Sequence, residues 1–184
     1  MRGLLKGAGI AVLALAFAAG SAQGQVRLGI GGGVSVPTGD ALENFNTGFH
    51  GVALLRFKPP AFPIGFQFDG MFTRFSVDDQ GADLDVNLQM LSGTANAVWA
   101  FPSAPATPIK PYLIGGLGFY NSDFKGDDVD VLFPGGIDSQ TDLGLNLGAG
   151  FDLGKNFFAE ARLHKVFGDG DDPTFIPVTV GFKF

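Results

Sequence analysis

Ile176, Val178, Val180, Phe182 and Phe184 recur at strict intervals of two along the end of the chain, with Pro177, Thr179, Gly181 and Lys183 between them. A segment of this period has one greasy face and one polar or small face, the pattern of a β-strand and not of a helix packed through a single stripe. Seven more such segments lie upstream, and helical periodicity is nowhere sustained. The chain is therefore all-β, and its strands have to pair with one another.

The segments are read as about 26–36, 48–58, 64–77, 84–101, 111–121, 142–153 and 157–167, before the last one. The sixth is the cleanest: Leu143, Leu145, Leu147, Phe151 and Leu153 stand against Gly144, Asn146, Gly148, Gly150 and Asp152. The seventh sets Phe157, Ala159, Ala161 and Leu163 against Glu160, Arg162 and His164. In the second, Val52 and Leu54 blur an otherwise regular pattern. The fourth opens with Leu84, Val86, Leu88 and Met90 opposing Asp85, Asn87 and Gln89, then loses contrast. The fifth is glycine-rich, and its facing is open.

Past the first 24 residues, no apolar stretch approaches the roughly 20 residues of a membrane helix. Membrane insertion therefore requires strands, and they must close, because lipid cannot satisfy an open sheet edge. The connections alternate in character. Lys58–Pro63, Pro102–Pro108 and Gly154–Asn156 are short or proline-rich, whereas the other four hold 14 of the 18 acids. With eight strands and both termini on one side, those four acidic connections share the opposite side, which is the loop asymmetry of membrane barrels.

The N-terminus has a separate design. Arg2 and Lys6 precede an apolar run from Gly9 to Ala19, followed by small residues to Gly24. This is the layout of a cleavable secretory signal peptide, residues 1–24, with cleavage after Ala22 or Gly24. The run is short for a membrane anchor. Residues 25–184 then form one domain with ten basic and eighteen acidic residues, a balance that argues against a nucleic-acid partner. Cysteine is absent, so neither disulfides nor thiol chemistry contributes.

The signal peptide, the eight alternating segments and the terminal Phe together resemble the small outer-membrane β-barrel family (OmpA/OmpX-like), over essentially the whole mature chain. Gly31–Asp40 followed by Thr47-Gly-Phe-His50 resembles that family's first hairpin, and Pro111–Tyr120 its fifth strand. The resemblance implies an eight-stranded antiparallel up-and-down transmembrane β-barrel in the cell outer membrane, monomeric and with both termini periplasmic. It also implies that the insertion machinery reads the C-terminal strand through Phe184. The peptidoglycan-binding domain that some relatives append is not expected here.

An eight-stranded barrel leaves an interior that side chains can fill. The inward set carries both signs of charge, and buried charges must pair because unpaired ones cost several kcal/mol, about 3–5 when one partner is removed. The expectation is a polar, plugged lumen with an ion-pair network centred on Glu160 and Arg162. Arg27, Arg56, Asp69 and Asp85 belong to it, and His164 and Lys183 face the same space. A gate for small solutes is the functional reading of that network; a plug that holds the barrel shut is the plain one. Trp99, Tyr112, Tyr120 and Phe184 are expected as aromatic anchors at the membrane interfaces. Val131, Leu132 and Phe133 form an apolar stretch in the long acidic connection and a candidate contact patch.

Catalysis has little support. Lipid-modifying barrel enzymes use a Ser with a His and an acid, and only His50 and His164 are available, neither with a Ser two residues on. Ser35, His50 and Asp69 are the one trio that strand order brings near. The acidic runs Asp127–Asp130 and Asp169–Asp172 lack the spacing of a calcium loop, so no metal or cofactor is assigned. The reading is a structural or surface-interacting outer-membrane protein with lipid as its surroundings and no identified ligand. Two alternatives stand beside it: narrow passage of small or hydrophobic solutes, and a soluble lipocalin-like binder with a polar exterior.

Overall fold

The computed structural model of the chain describes residues 25–60, 62–77, 86–102, 107–126, 139–168 and 172–184. Eight strands, β1 (Gln25–Thr38), β2 (Gly48–Lys58), β3 (Ile64–Ser76), β4 (Asn87–Ala100), β5 (Ile109–Lys125), β6 (Gln140–Leu153), β7 (Phe157–Phe167) and β8 (Thr174–Lys183), follow one another round a closed antiparallel barrel. Each strand pairs with its sequence neighbours, and β8 closes against β1. Paired residues lead from Arg27 through Arg56, Gln67, Asn96, Gly116, Asn146, His164 and Phe175 back to β1 at Pro37, a stagger of ten residues. Such a stagger tilts the strands by roughly 40°.

The alternation of β8 sets the wall as its sequence requires. Val178, Val180, Phe182 and Phe184 face outward, while Thr179 and Lys183 are buried in the lumen. Leu147 on β6 is 69% exposed and Val180 65%, and large apolar side chains cover the outer wall on every strand. This exterior contradicts the soluble lipocalin-like alternative, which needs a polar outside. The start of β1 and the end of β8 share one end of the barrel, here the terminal end; the other is the loop end. At the terminal end the β6–β7 turn is tight, and Gly154 takes a left-handed φ of 66° that favours glycine.

The fourth and fifth segments differ from their sequence reading. Leu88 and Met90 point into the lumen, and Gln89 lies on the outside beside Arg74 and Asp123 on the flanking strands. The reason is position: this part of the wall stands beyond the apolar belt, where water is outside and the polarity code reverses. On β5, Tyr112 and Tyr120 are 2% and 0% exposed and lie inside the barrel, so they are not interface anchors. Glycines on β6 make room for them. A Cβ on Gly150 would meet the Tyr112 ring at 2.5 Å, and one on Gly144 would meet Tyr120 at 2.6 Å.

The lumen has two layers. Toward the loop end it is an apolar core of Val52, Met71, Phe75, Leu88, Met90, Tyr120, Val166 and Phe175, capped by Leu42 from a single 3₁₀ turn, Asp40–Leu42, after β1. Phe75 and Phe175 meet edge to face at 5.6 Å, and the His164 ring stacks beneath Phe175 at 5.1 Å. Below lies the polar layer. The lumen is thus not polar throughout, because the half nearest the loops is lined by an apolar cluster.

Candidate functional site

The polar layer is built from inward positions of seven strands, β2 to β8. Asp69 of β3 is 7% exposed, and its carboxylate accepts from Gln67 Nε2 at 2.8 Å, Asn96 Nδ2 at 2.8 Å and Thr94 Oγ1 at 3.2 Å. Arg162 of β7 reaches the same carboxylate at 2.7 Å through Nη1. Its Nε meets Glu160 Oε1 at 2.8 Å. Glu160 Oε2 accepts from the Tyr112 hydroxyl at 2.8 Å and stands 3.8 Å from Arg56 Nη2. Arg56 bridges onward to Asp152 at 3.2 Å, and Asp152 pairs with Lys183.

The result is a chain of alternating sign from Lys183 through Asp152, Arg56, Glu160 and Arg162 to Asp69. Three cations face three carboxylates, so the layer is neutral while every charge has an opposite neighbour. Burial in a low-dielectric interior makes such pairing obligatory. Hydrogen bonds to Gln67, Asn96 and Tyr112 satisfy remaining lone pairs, and the Arg56 guanidinium lies 4.4 Å over the Tyr112 ring.

The geometry brings together Arg56, Asp69, Glu160, Arg162 and Lys183 of the residues singled out from sequence. It leaves others apart. Arg27 sits at the terminal mouth and donates to the Lys155 carbonyl at 2.6 Å, outside the ion-pair chain, because its strand begins below that layer. His164 faces inward but shares its hydrogen bond with Tyr120 at 2.8 Å, in the apolar layer. Asp85, Val131, Leu132 and Phe133 lie outside the described residues. Trp99 and Phe184 are on the outer wall, 56% and 63% exposed.

Sequence reasoning placed Asp152 on the inward face without naming it in the network, and it placed Tyr112 at the membrane interface. Asp152 shares its inward phase with Asn146 on β6, a usable signal; Tyr112 had none, since its strand is apolar on both faces. Ser35 and His50 do share a hydrogen bond of 3.0 Å, but the second His50 nitrogen bonds Thr179 at 2.8 Å and Asp69 is committed to Arg162. Ser35 is fully buried, so the trio neither forms a relay nor meets a substrate. Among the described residues no three His, Cys, Asp or Glu side chains converge as metal ligands.

A family model for the outer membrane protein beta-barrel domain matches residues 8–184. Among solved structures, the attachment invasion locus protein Ail of Yersinia pestis is similar at 18% identity, with 89% of this chain and 100% of that one covered and a TM-score of 0.57. Neisserial surface protein A is similar at 15% identity, covering 86% and 95% respectively, with a TM-score of 0.52. At these identities the likeness is one of fold. No curated protein sequence matches significantly.

Proposed function

The chain belongs to the outer membrane protein beta-barrel domain family and is an outer-membrane barrel; from that premise we propose that it works as a closed, monomeric, non-enzymatic barrel with a structural or surface-interaction role. The single observation that carries this reading is the filled lumen. An ion-pair layer and an apolar core lie in series across it, and this arrangement supports a closed lumen. Both termini are periplasmic in this reading, and the acidic connections face outside. The β5–β6 connection, with Val131, Leu132 and Phe133, is the contact surface; the lipid bilayer and the insertion machinery, through the strand ending at Phe184, are its other partners. Trp99 and Phe184 anchor the terminal end at the interface.

Planar-bilayer recording of the purified barrel tests the closed lumen. The expected trace is flat, and stable conductance steps that scale with protein concentration overturn the reading.

A second reading, passage of small hydrophobic solutes through the wall, has one observation in its favour. The β7–β8 register is interrupted between Ala161↔Val178 and His164↔Phe175, where Pro177 has no N–H to offer. Cross-linking Leu163→Cys to Ile176→Cys would staple this seam, and solute uptake unchanged by the staple removes that reading.

A further inference from the structure

At the terminal end the lumen widens into a vestibule of about 570 Å³, separate from the apolar layer. Arg27, Arg56, Lys58, Lys110, Lys155 and Lys183 line it, six of the ten basic residues beyond residue 24. Asp152 is the only side-chain carboxylate among the lining residues, and Arg56 and Lys183 already share it. Lys58, Lys110 and Lys155 form no ion pair among the described residues. The buried Arg56 Nη2 makes no hydrogen bond, and Glu160 stands 3.8 Å from it. In a chain of net charge −6, this concentration of cations at one mouth is a local inversion of sign.

A concave site with one sign of charge and low-dielectric walls focuses its field and raises the local concentration of counter-ions. The rest of the lining is apolar or aromatic. Trp99 and Phe101 stack at 5.9 Å, and with Tyr112 and Pro102 they line the same space. Cations beside an aromatic surface at the edge of the lipid-facing belt suit a ligand with a phosphate group on an apolar or ring-bearing body. We propose that this vestibule is a binding site for phosphate-ester anions, with Lys58, Lys110 and Arg27 as the mobile contacts and Arg56 and Lys183 as the fixed floor.

Such a group comes either from an anionic lipid headgroup or from a soluble phosphate in the adjoining aqueous space. The site does not depend on whether the lumen conducts. Trp99, the only tryptophan in the chain, stands at the outer rim of the site, so its fluorescence reports on the rim while calorimetry reads occupancy.

The test uses the folded barrel in zwitterionic micelles, titrated with dihexanoyl phosphatidic acid, with inorganic pyrophosphate and with dihexanoyl phosphatidylcholine, followed by Trp99 fluorescence and by calorimetry. Saturable binding of the phosphatidic acid but not pyrophosphate supports the site and names a lipid headgroup as its source. Equal binding of both supports the site and names a soluble phosphate. Lys58→Gln with Lys110→Gln should weaken binding roughly thirtyfold, about fivefold for each interfacial cation removed. Lys125→Gln with Lys165→Gln, at the loop end, should leave it unchanged. No saturable binding of either anion, binding of phosphatidylcholine as tight as that of phosphatidic acid, or equal losses in the two double variants overturns the proposal. Heat-dependent gel mobility verifies that each variant is folded.

Discussion

Asp69 and Arg162 meet at 2.7 Å inside the barrel, one from β3 and the other from β7, strands on opposite sides of an eight-stranded wall. The pair ties the barrel across its diameter, and Glu160 holds the other edge of the same guanidinium at 2.8 Å. Removing Arg162 leaves the buried Asp69 carboxylate without a cation and Glu160 with only the Arg56 guanidinium, 3.8 Å away. Arg162→Ala is expected to cost about 3–5 kcal/mol, the usual loss when one partner of a buried pair is deleted. Urea unfolding in lipid vesicles measures it, and a loss under about 1 kcal/mol would mean that the lumen admits water at this level.

The Tyr112 hydroxyl donates to Glu160 Oε2 at 2.8 Å, and the residue is 2% exposed. Tyr112→Phe keeps the ring over Gly150 but leaves that oxygen without its donor. The expected loss is about 1–3 kcal/mol in the same unfolding assay, because a buried acceptor goes unsatisfied. An interface tyrosine would tolerate the change, so a neutral result would return Tyr112 to the outer wall.

On β6, neighbouring residues face opposite media. Leu147 is 69% exposed on the outside, while Asn146 is 4% exposed and donates to Asn96 Oδ1 at 2.8 Å. Leu147→Arg places a charge in the lipid belt and should cost about 2–4 kcal/mol at mid-depth. Asn146→Arg would instead crowd the lumen beside Arg162. Folding yields into vesicles, compared for Leu147→Arg and Leu147→Ala, separate charge from lost contact; equal yields would show that this wall is not in lipid.

Much of the wall was legible residue by residue where one face meets lipid and the other a polar lumen. β2 and β7 run over the residues that their alternation marks, Gly48–Lys58 and Phe157–Phe167. Legibility ended where that contrast ends. On β4 the code reverses beyond the apolar belt, so Leu88 and Met90 turn inward although they look like lipid-facing residues. On β5, Tyr112, Leu113 and Ile114 are apolar on both faces, and only the glycines of the neighbouring β6 decide which tyrosine side is inside. The ion-pair chain was legible as a set of inward charges but not as pairs. Asp69 and Arg162 are 93 residues apart, and which cation meets which carboxylate depends on the stagger of the closed sheet.

The proposed sidedness, with the terminal end of the barrel in the periplasm, is open to a direct test. The chain has no cysteine, so single introduced thiols report without background. Glu43 lies beyond the 3₁₀ turn at the loop end, and Lys155 lies in the tight β6–β7 turn at the terminal end. In intact cells a membrane-impermeant maleimide should label Glu43→Cys and spare Lys155→Cys, and lysis should equalise the two. The reverse labelling would place both termini outside.

If the two layers of the lumen each close it, as proposed, the barrel's response to damage follows. Phe175 is 0% exposed and joins Phe75, Tyr120 and His164 in the apolar layer. Phe175→Ala should cost about 3–5 kcal/mol through lost burial and the space left behind. It should not make a pore. The space it leaves borders the Phe75 and His164 rings, and the Asp69–Arg162–Glu160 layer beneath it is untouched. Unfolding and planar-bilayer recordings on the same preparation measure both quantities. Loss of stability with a silent bilayer supports two closures in series; conductance from this single change would show that the apolar layer alone keeps the barrel shut.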